Sequence, residues 1–104
     1  MAGESIDSPA IFRYNGGTMK KLLHFTAEWC TPCKAMKPVI ASFLEENPNI
    51  EYEQIDVDNN PEITKSYSIL SVPTFVAFYN DERIGSIGGA VPKARLAALF
   101  ENYE

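Results

Sequence analysis

Apolar positions along this chain cluster in short dense runs separated by stretches of helical period. Lys20 to Thr26 is rich enough in apolar residues for an inner strand, with Leu22, Leu23 and Phe25 available for burial. Met36, Val39, Ile40, Phe43 and Leu44 then recur at three-and-four spacing, which predicts a helix from Pro32 to Glu46 with one apolar face, stopped by Asn47-Pro48-Asn49. Pro38 lies inside that helix and cannot donate to the carbonyl of Lys34, so a kink is expected there, dividing the first turn from the half that packs on the core.

Ile50 to Val57 alternates imperfectly but is bounded by turn residues and reads as a strand. Asn60-Pro61-Glu62 has the order of an N-cap, a first-turn proline and an acidic first turn, opening a short helix to Tyr67. Phe75 to Tyr79 follows as a strand, turned by Asn80-Asp81 into a partner from Arg83 to Ile87 that ends at Gly88-Gly89. Pro92 to Tyr103 is expected to be helical, with Leu96, Leu99, Phe100 and Tyr103 on one face. Toward the N-terminus, Met1 to Ser8 is expected to fray, Ala10 to Tyr14 to form a short edge strand, and Asn15-Gly16-Gly17 to turn. A helical crossover makes the first strand pair parallel and the hairpin makes the second antiparallel, so an α/β fold is expected, its mixed sheet flanked by helices on both faces.

A chain of 104 residues has length for one core, and a single domain over 1–104 is expected. Its 45% hydrophobic and 22% charged residues are ordinary for a globular protein. The net charge of -5, with basic residues scattered, argues against nucleic acid as a partner. No apolar run approaches the roughly 20 residues that cross a bilayer. Met19 to Phe25 begins like an export signal but runs at once into Thr26, Glu28 and a cysteine motif, so a cytoplasmic protein is expected.

Both cysteines of the chain stand in Trp29-Cys30-Thr31-Pro32-Cys33-Lys34, between the first strand and the helix. Two thiols at this spacing can close on each other and so carry two electrons without a bound cofactor. A structural staple is the plainer reading, but so short a loop stabilises by only about 2 kcal/mol. Structural zinc needs four ligands, and the chain offers Cys30, Cys33 and its one histidine, His24. Asp56 and Asp58 read as a polar strand end rather than a cation site. Lys34 and Lys37 read either as solvated helix lysines or as groups that steer acidic partners.

Phe25 to Lys34, Pro38, Asp56-Val57-Asp58 with Asn60-Pro61, Val72-Pro73-Thr74 and Gly89 occur in an order that resembles the thioredoxin family. The likeness runs from Lys20 to the C-terminus, residues 1–18 matching poorly. It implies the thioredoxin fold, a cis peptide before Pro73, and thiol–disulfide exchange on protein substrates by a monomer that a flavin- and NADPH-dependent reductase recharges. Thr31 stands where the family commonly has glycine, His24 where it usually has a buried aspartate, and Gln54 where a lysine is usual.

On this likeness Cys30 is expected to be the exposed nucleophile at the helix tip and Cys33 the resolving thiol one turn inward. Bringing the Cys30 thiol from roughly 8.5 to near neutrality requires about 2 kcal/mol, which a partly buried helix N-terminus can supply. Trp29, Thr31, Pro32, Val72, Pro73 and Gly89 are candidate substrate contacts, Trp29 also reading as a half-buried aromatic and Pro32 as an ordinary helix-start proline. The Val72 backbone would pair with an extended substrate segment. His24 reads either as a strand histidine satisfied by a neighbour or as a neutral base that takes the proton of Cys33. Two other functions compete with disulfide reduction: an oxidant or isomerase, and a non-catalytic subunit that uses the scaffold to hold a partner.

Overall fold

A computed structural model describes residues 19–103. The strand, turn and frayed segment expected before Met19 lie outside those residues. Strand β1 (Lys20–Thr26) leads into helices α1 (Thr31–Ala35) and α2 (Lys37–Glu46), then β2 (Ile50–Asp56) and α3 (Pro61–Ser66). The hairpin β3 (Thr74–Tyr79) and β4 (Glu82–Gly88) and helix α4 (Lys93–Ala98) complete it.

The sheet has the order β2-β1-β3-β4. β1 pairs parallel with β2 and antiparallel with β3, and β3 pairs antiparallel with β4, giving the mixed sheet expected. Central β1 is covered on both sides, so Lys21 to Thr26 are all buried. Successive side chains alternate between faces: Leu22 joins Ile40, Phe43, Phe75, Leu96 and Phe100 in the larger core, whereas Leu23 and Phe25 pack with Ile55, Val76 and Phe78, backed by Ile63 and Tyr67 of the α3 region. Lys21 keeps its charge solvated by Glu51 and Glu53 at 3.6 and 3.3 Å.

The helix expected from Pro32 to Glu46 is two helices that meet at Met36. With no N–H at Pro38 the ladder cannot continue through Lys34, and the Met36 N–H instead reaches back three residues to the Cys33 carbonyl at 3.1 Å. Pro38 thereby falls in the first turn of α2, where its missing donor costs nothing. The apolar face survives the break, with Met36, Ile40 and Phe43 buried.

Two further expectations need correction. Asn60 occupies the N-cap of α3, but its side chain makes no capping bond and donates to the Asp56 carbonyl at 3.0 Å. The last helix stops at Ala98, after which the chain tightens into three-residue bonds at Phe100, Glu101 and Tyr103. Phe100 stays buried even so, and Tyr103 rests on Tyr79 with ring centroids 5.0 Å apart.

α3 ends in a Schellman motif: the Ser68 N–H donates to the Lys65 carbonyl and the Ile69 N–H to the Thr64 carbonyl, with Ser68 left-handed at φ 57. This turn aims the chain from the back of the sheet toward Val72-Pro73. In the β3–β4 hairpin, Asn80 and Asp81 both take positive φ, 58 and 70, as a two-residue turn of type I′ requires.

Candidate active site

β1 ends at Thr26, and a short turn delivers Cys30 to the N-cap of α1 with extended backbone. Cys30 and Cys33 are joined as a disulfide with Cα atoms 5.2 Å apart. The Cys33 N–H donates to Cys30 Sγ at 3.1 Å. Thr31 and Pro32 are exposed in the first turn, where proline gives up a donor the helix leaves free. α1 is only 5 residues long and ends at Met36, so Cys30 does not sit at the start of one long continuous helix.

The expectation of an exposed Cys30 is corrected: it is 3% exposed and Cys33 2%. With the disulfide closed, the two pack with Ala27, and Val57 and Val72 cover them. Val72 comes from the loop before β3, where the Val72–Pro73 peptide is cis, as the resemblance implied. Pro73 is buried, and its carbonyl accepts from the Gly89 N–H at 2.8 Å. Gly89 at φ 92 adopts a backbone that side chains rarely take. Cys30, Cys33, Val72, Pro73 and Gly89 are thus drawn into one neighbourhood.

Trp29 flanks the disulfide and is 67% exposed. Its indole Nε1 donates to Asp58 Oδ2 at 2.8 Å, which tethers the ring, and its exposure excludes the reading of a half-buried aromatic. Asp58 rides on a loop braced by Asp56 Oδ1, which accepts from the Asp58 N–H at 2.8 Å. Beside Trp29 lies an apolar groove that includes Val57, Ile69, Leu70 and Val72. Leu70 is 96% exposed, a side chain the sequence reading did not single out.

His24 lies on β1 opposite Gln54 of β2 and Phe75 of β3. It is 2% exposed and stacks on Phe75 with ring centroids 4.5 Å apart. Burial drives its pKa down from 6.5 to about 4, so the ring is neutral at physiological pH. Nδ1 lies 2.9 Å from the Tyr52 hydroxyl, whereas Nε2 is buried without a partner among the described residues. His24 and Cys33 line one cavity of about 120 Å³, with Thr26, Lys37, Gln54 and Asp56 also on its wall. Lys34 and Lys37 are exposed at its rim.

The contacts of Asp58 with Trp29 and of Tyr52 with His24 were not foreseen from the sequence. Tyr52 shares the face of β2 set by Ile50 and Gln54, and the parallel pairing places that face beside His24. The alternation held the signal, but the pairing that gives it meaning spans 28 residues.

Residues 15–102 match the family model named Thioredoxin. Thioredoxin of Pyropia yezoensis is 40% identical over 83 residues, covering 79% of this chain and 78% of that protein. Thioredoxin-2 of Pyricularia oryzae is 37% identical over 82 residues, and the matched region spans 48% of its length. The crystal structure of mitochondrial thioredoxin 3 from Saccharomyces cerevisiae in its oxidised form superposes with a TM-score of 0.76 at 33% identity, covering 82% of this chain and 80% of that one. A match over most of the chain, on a fold that closes Cys30 and Cys33 into a disulfide at a helix start, means that the chain belongs to the thioredoxin family of thiol–disulfide oxidoreductases.

Proposed function

We propose that this chain works as a protein-disulfide reductant in which Cys30 attacks, Cys33 resolves and His24 accepts the proton of Cys33. The observation that carries the order of attack is the Cys33 N–H on Cys30 Sγ, since it stabilises negative charge on one sulfur only. In the reduced form the Cys30 thiolate attacks a sulfur of the substrate disulfide, a mixed disulfide forms and the other substrate sulfur leaves as thiolate. His24 Nε2 takes the proton from Cys33 across their shared cavity. The Cys33 thiolate then attacks Cys30 Sγ, the bond to substrate breaks, and the Cys30–Cys33 disulfide closes. The substrate gains the two electrons that the dithiol loses.

The substrate is a polypeptide: its disulfide meets Cys30 over the exposed face of Trp29, its backbone pairs with Val72 beside Pro73 and Gly89, and its apolar side chains occupy the groove ending at Leu70. A flavin- and NADPH-dependent thioredoxin reductase returns the disulfide to the dithiol. The chain acts as a monomer in a reducing compartment, the cytoplasm. No helix among the described residues is long and apolar enough to cross a membrane.

Reduction of insulin disulfides, followed by precipitation of the freed B chain with dithiothreitol as electron source, tests the reading. Wild-type protein accelerates the reaction and Cys30→Ser protein does not; Cys33→Ser protein, reduced and then freed of dithiothreitol before insulin is added, accumulates as a covalent adduct with its target. Equal acceleration by both variants and the wild type would contradict it.

A further inference from the structure

We propose that Tyr52 is a positioning residue for the exchange reaction: its hydroxyl holds His24 as the Nδ1–H tautomer and so leaves the lone pair at Nε2, on a ring that shares a cavity wall with Cys33. The proposal rests on the reading of His24 as the proton acceptor.

The two ring nitrogens together select the tautomer. With Nδ1–H the ring donates to the Tyr52 oxygen at 2.9 Å, and the hydroxyl proton can turn to Gln54 Oε1 at 3.4 Å. The other tautomer would put an N–H at Nε2, which is buried with no partner among the described residues. A buried donor without an acceptor is rarer and costlier than a buried lone pair. Tyr52 remains a neutral phenol throughout, because burial raises its pKa to about 12. Phe75, stacked on the ring, removes the freedom to rotate the two nitrogens past each other.

The proton transfer follows from that arrangement. The Cys33 thiol proton passes to Nε2, the electron pair stays on sulfur, and the imidazolium keeps its Nδ1–H on Tyr52. The carboxylate of Asp56 and the ammonium of Lys37 face the same cavity, and neither bonds to the ring.

The chain has one histidine, so nitrogen NMR of protein carrying labelled histidine reads this ring alone. The expected spectrum at neutral pH shows Nδ1 protonated and Nε2 unprotonated, and Tyr52→Phe shifts the population toward the Nε2–H form. For the kinetics, the reduced protein is mixed with Ellman's reagent. One thionitrobenzoate is released as Cys30 is modified, and a second as Cys33 closes the disulfide. Tyr52→Phe is expected to slow the second release about tenfold and leave the first unchanged. In a His24→Ala background the same change is expected to add nothing. An Nε2–H tautomer in the wild type, an unslowed second release in Tyr52→Phe, or equal slowing in the His24→Ala background would each overturn the proposal. The tautomer spectrum judges Tyr52 even if a variant fails to fold. Absence of any second release from the wild type would instead sink the dithiol reading itself.

Discussion

The backbone N–H of Cys33 donates to the sulfur of Cys30 across 3.1 Å, while Pro32 between them has no N–H to offer. The bond distinguishes two otherwise similar sulfurs. A hydrogen bond to a charged acceptor contributes about 1.5 kcal/mol or more, roughly tenfold in the population of the charged form. In the reduced protein at neutral pH, iodoacetamide should therefore label Cys30 about tenfold faster than Cys33. Peptide mass analysis of a time course gives the ratio, and comparable labelling of both sulfurs would remove the basis for the order of attack.

His24 makes stability depend on pH in a defined direction. The folded ring resists protonation until about pH 4, whereas in the unfolded chain it titrates near 6.5. Between those values the unfolded state binds a proton that the folded state does not, so stability falls as pH drops from 6.5 toward 4 and this residue adds no further loss below that. The full interval corresponds to about 3 kcal/mol. Chemical denaturation of the oxidised protein across this range should show the slope, and His24→Phe, which keeps a ring against Phe75, should flatten it. A wild-type-minus-variant difference that stays constant from pH 7 to pH 4 would show that His24 is not the group responsible.

How far the sequence could be read is clearest around these two residues. The strand Lys20–Thr26 and the redox pair after it were legible because a strand declares itself by local apolar density and the motif by local spacing. The break at Met36 was half legible: Pro38 announced a disruption, but the helix parts two residues earlier, at Met36, whose N–H turns back to the Cys33 carbonyl. The last helix reached Tyr103 in its periodicity because three-residue turns keep Phe100 on the buried side almost as well as a helix does. Tyr52 on His24 and Asp58 on Trp29 were not legible, since each bond joins elements 28 or 29 residues apart and depends on sheet register and loop path. The burial of Cys30 depended likewise on Val57 and Val72 closing over it.

Ser68 occupies the C′ position of the Schellman turn at φ 57, where a side chain is strained and glycine is preferred. Ser68→Gly should stabilise the protein by about 1 kcal/mol, the relief of left-handed strain outweighing the extra freedom glycine gives the unfolded chain. Thermal or denaturant unfolding measures it. Because the turn leads directly into Leu70 and Val72, insulin reduction by the same variant should be unchanged if the gain is confined to the turn. An unchanged or lowered stability would mean that Ser68 relaxes elsewhere.

Gly89 separates stability from substrate contact. A Cβ added there meets nothing within 4 Å, so the cost of Gly89→Ala is backbone strain at φ 92 rather than collision. Strain of this kind amounts to about 1–3 kcal/mol. Relieving it by turning the Gly89 amide away from the Pro73 carbonyl would break that 2.8 Å bond and loosen the loop that packs Val72 against Cys30. The variant is therefore expected to lose stability by that amount in urea with an unchanged slope. It should also reduce insulin more slowly while reacting with Ellman's reagent at the wild-type rate, because a small reagent needs the sulfur but not the Val72 backbone. Parallel losses with both substrates would place the defect at the cysteines and remove Gly89 from the substrate-binding rim.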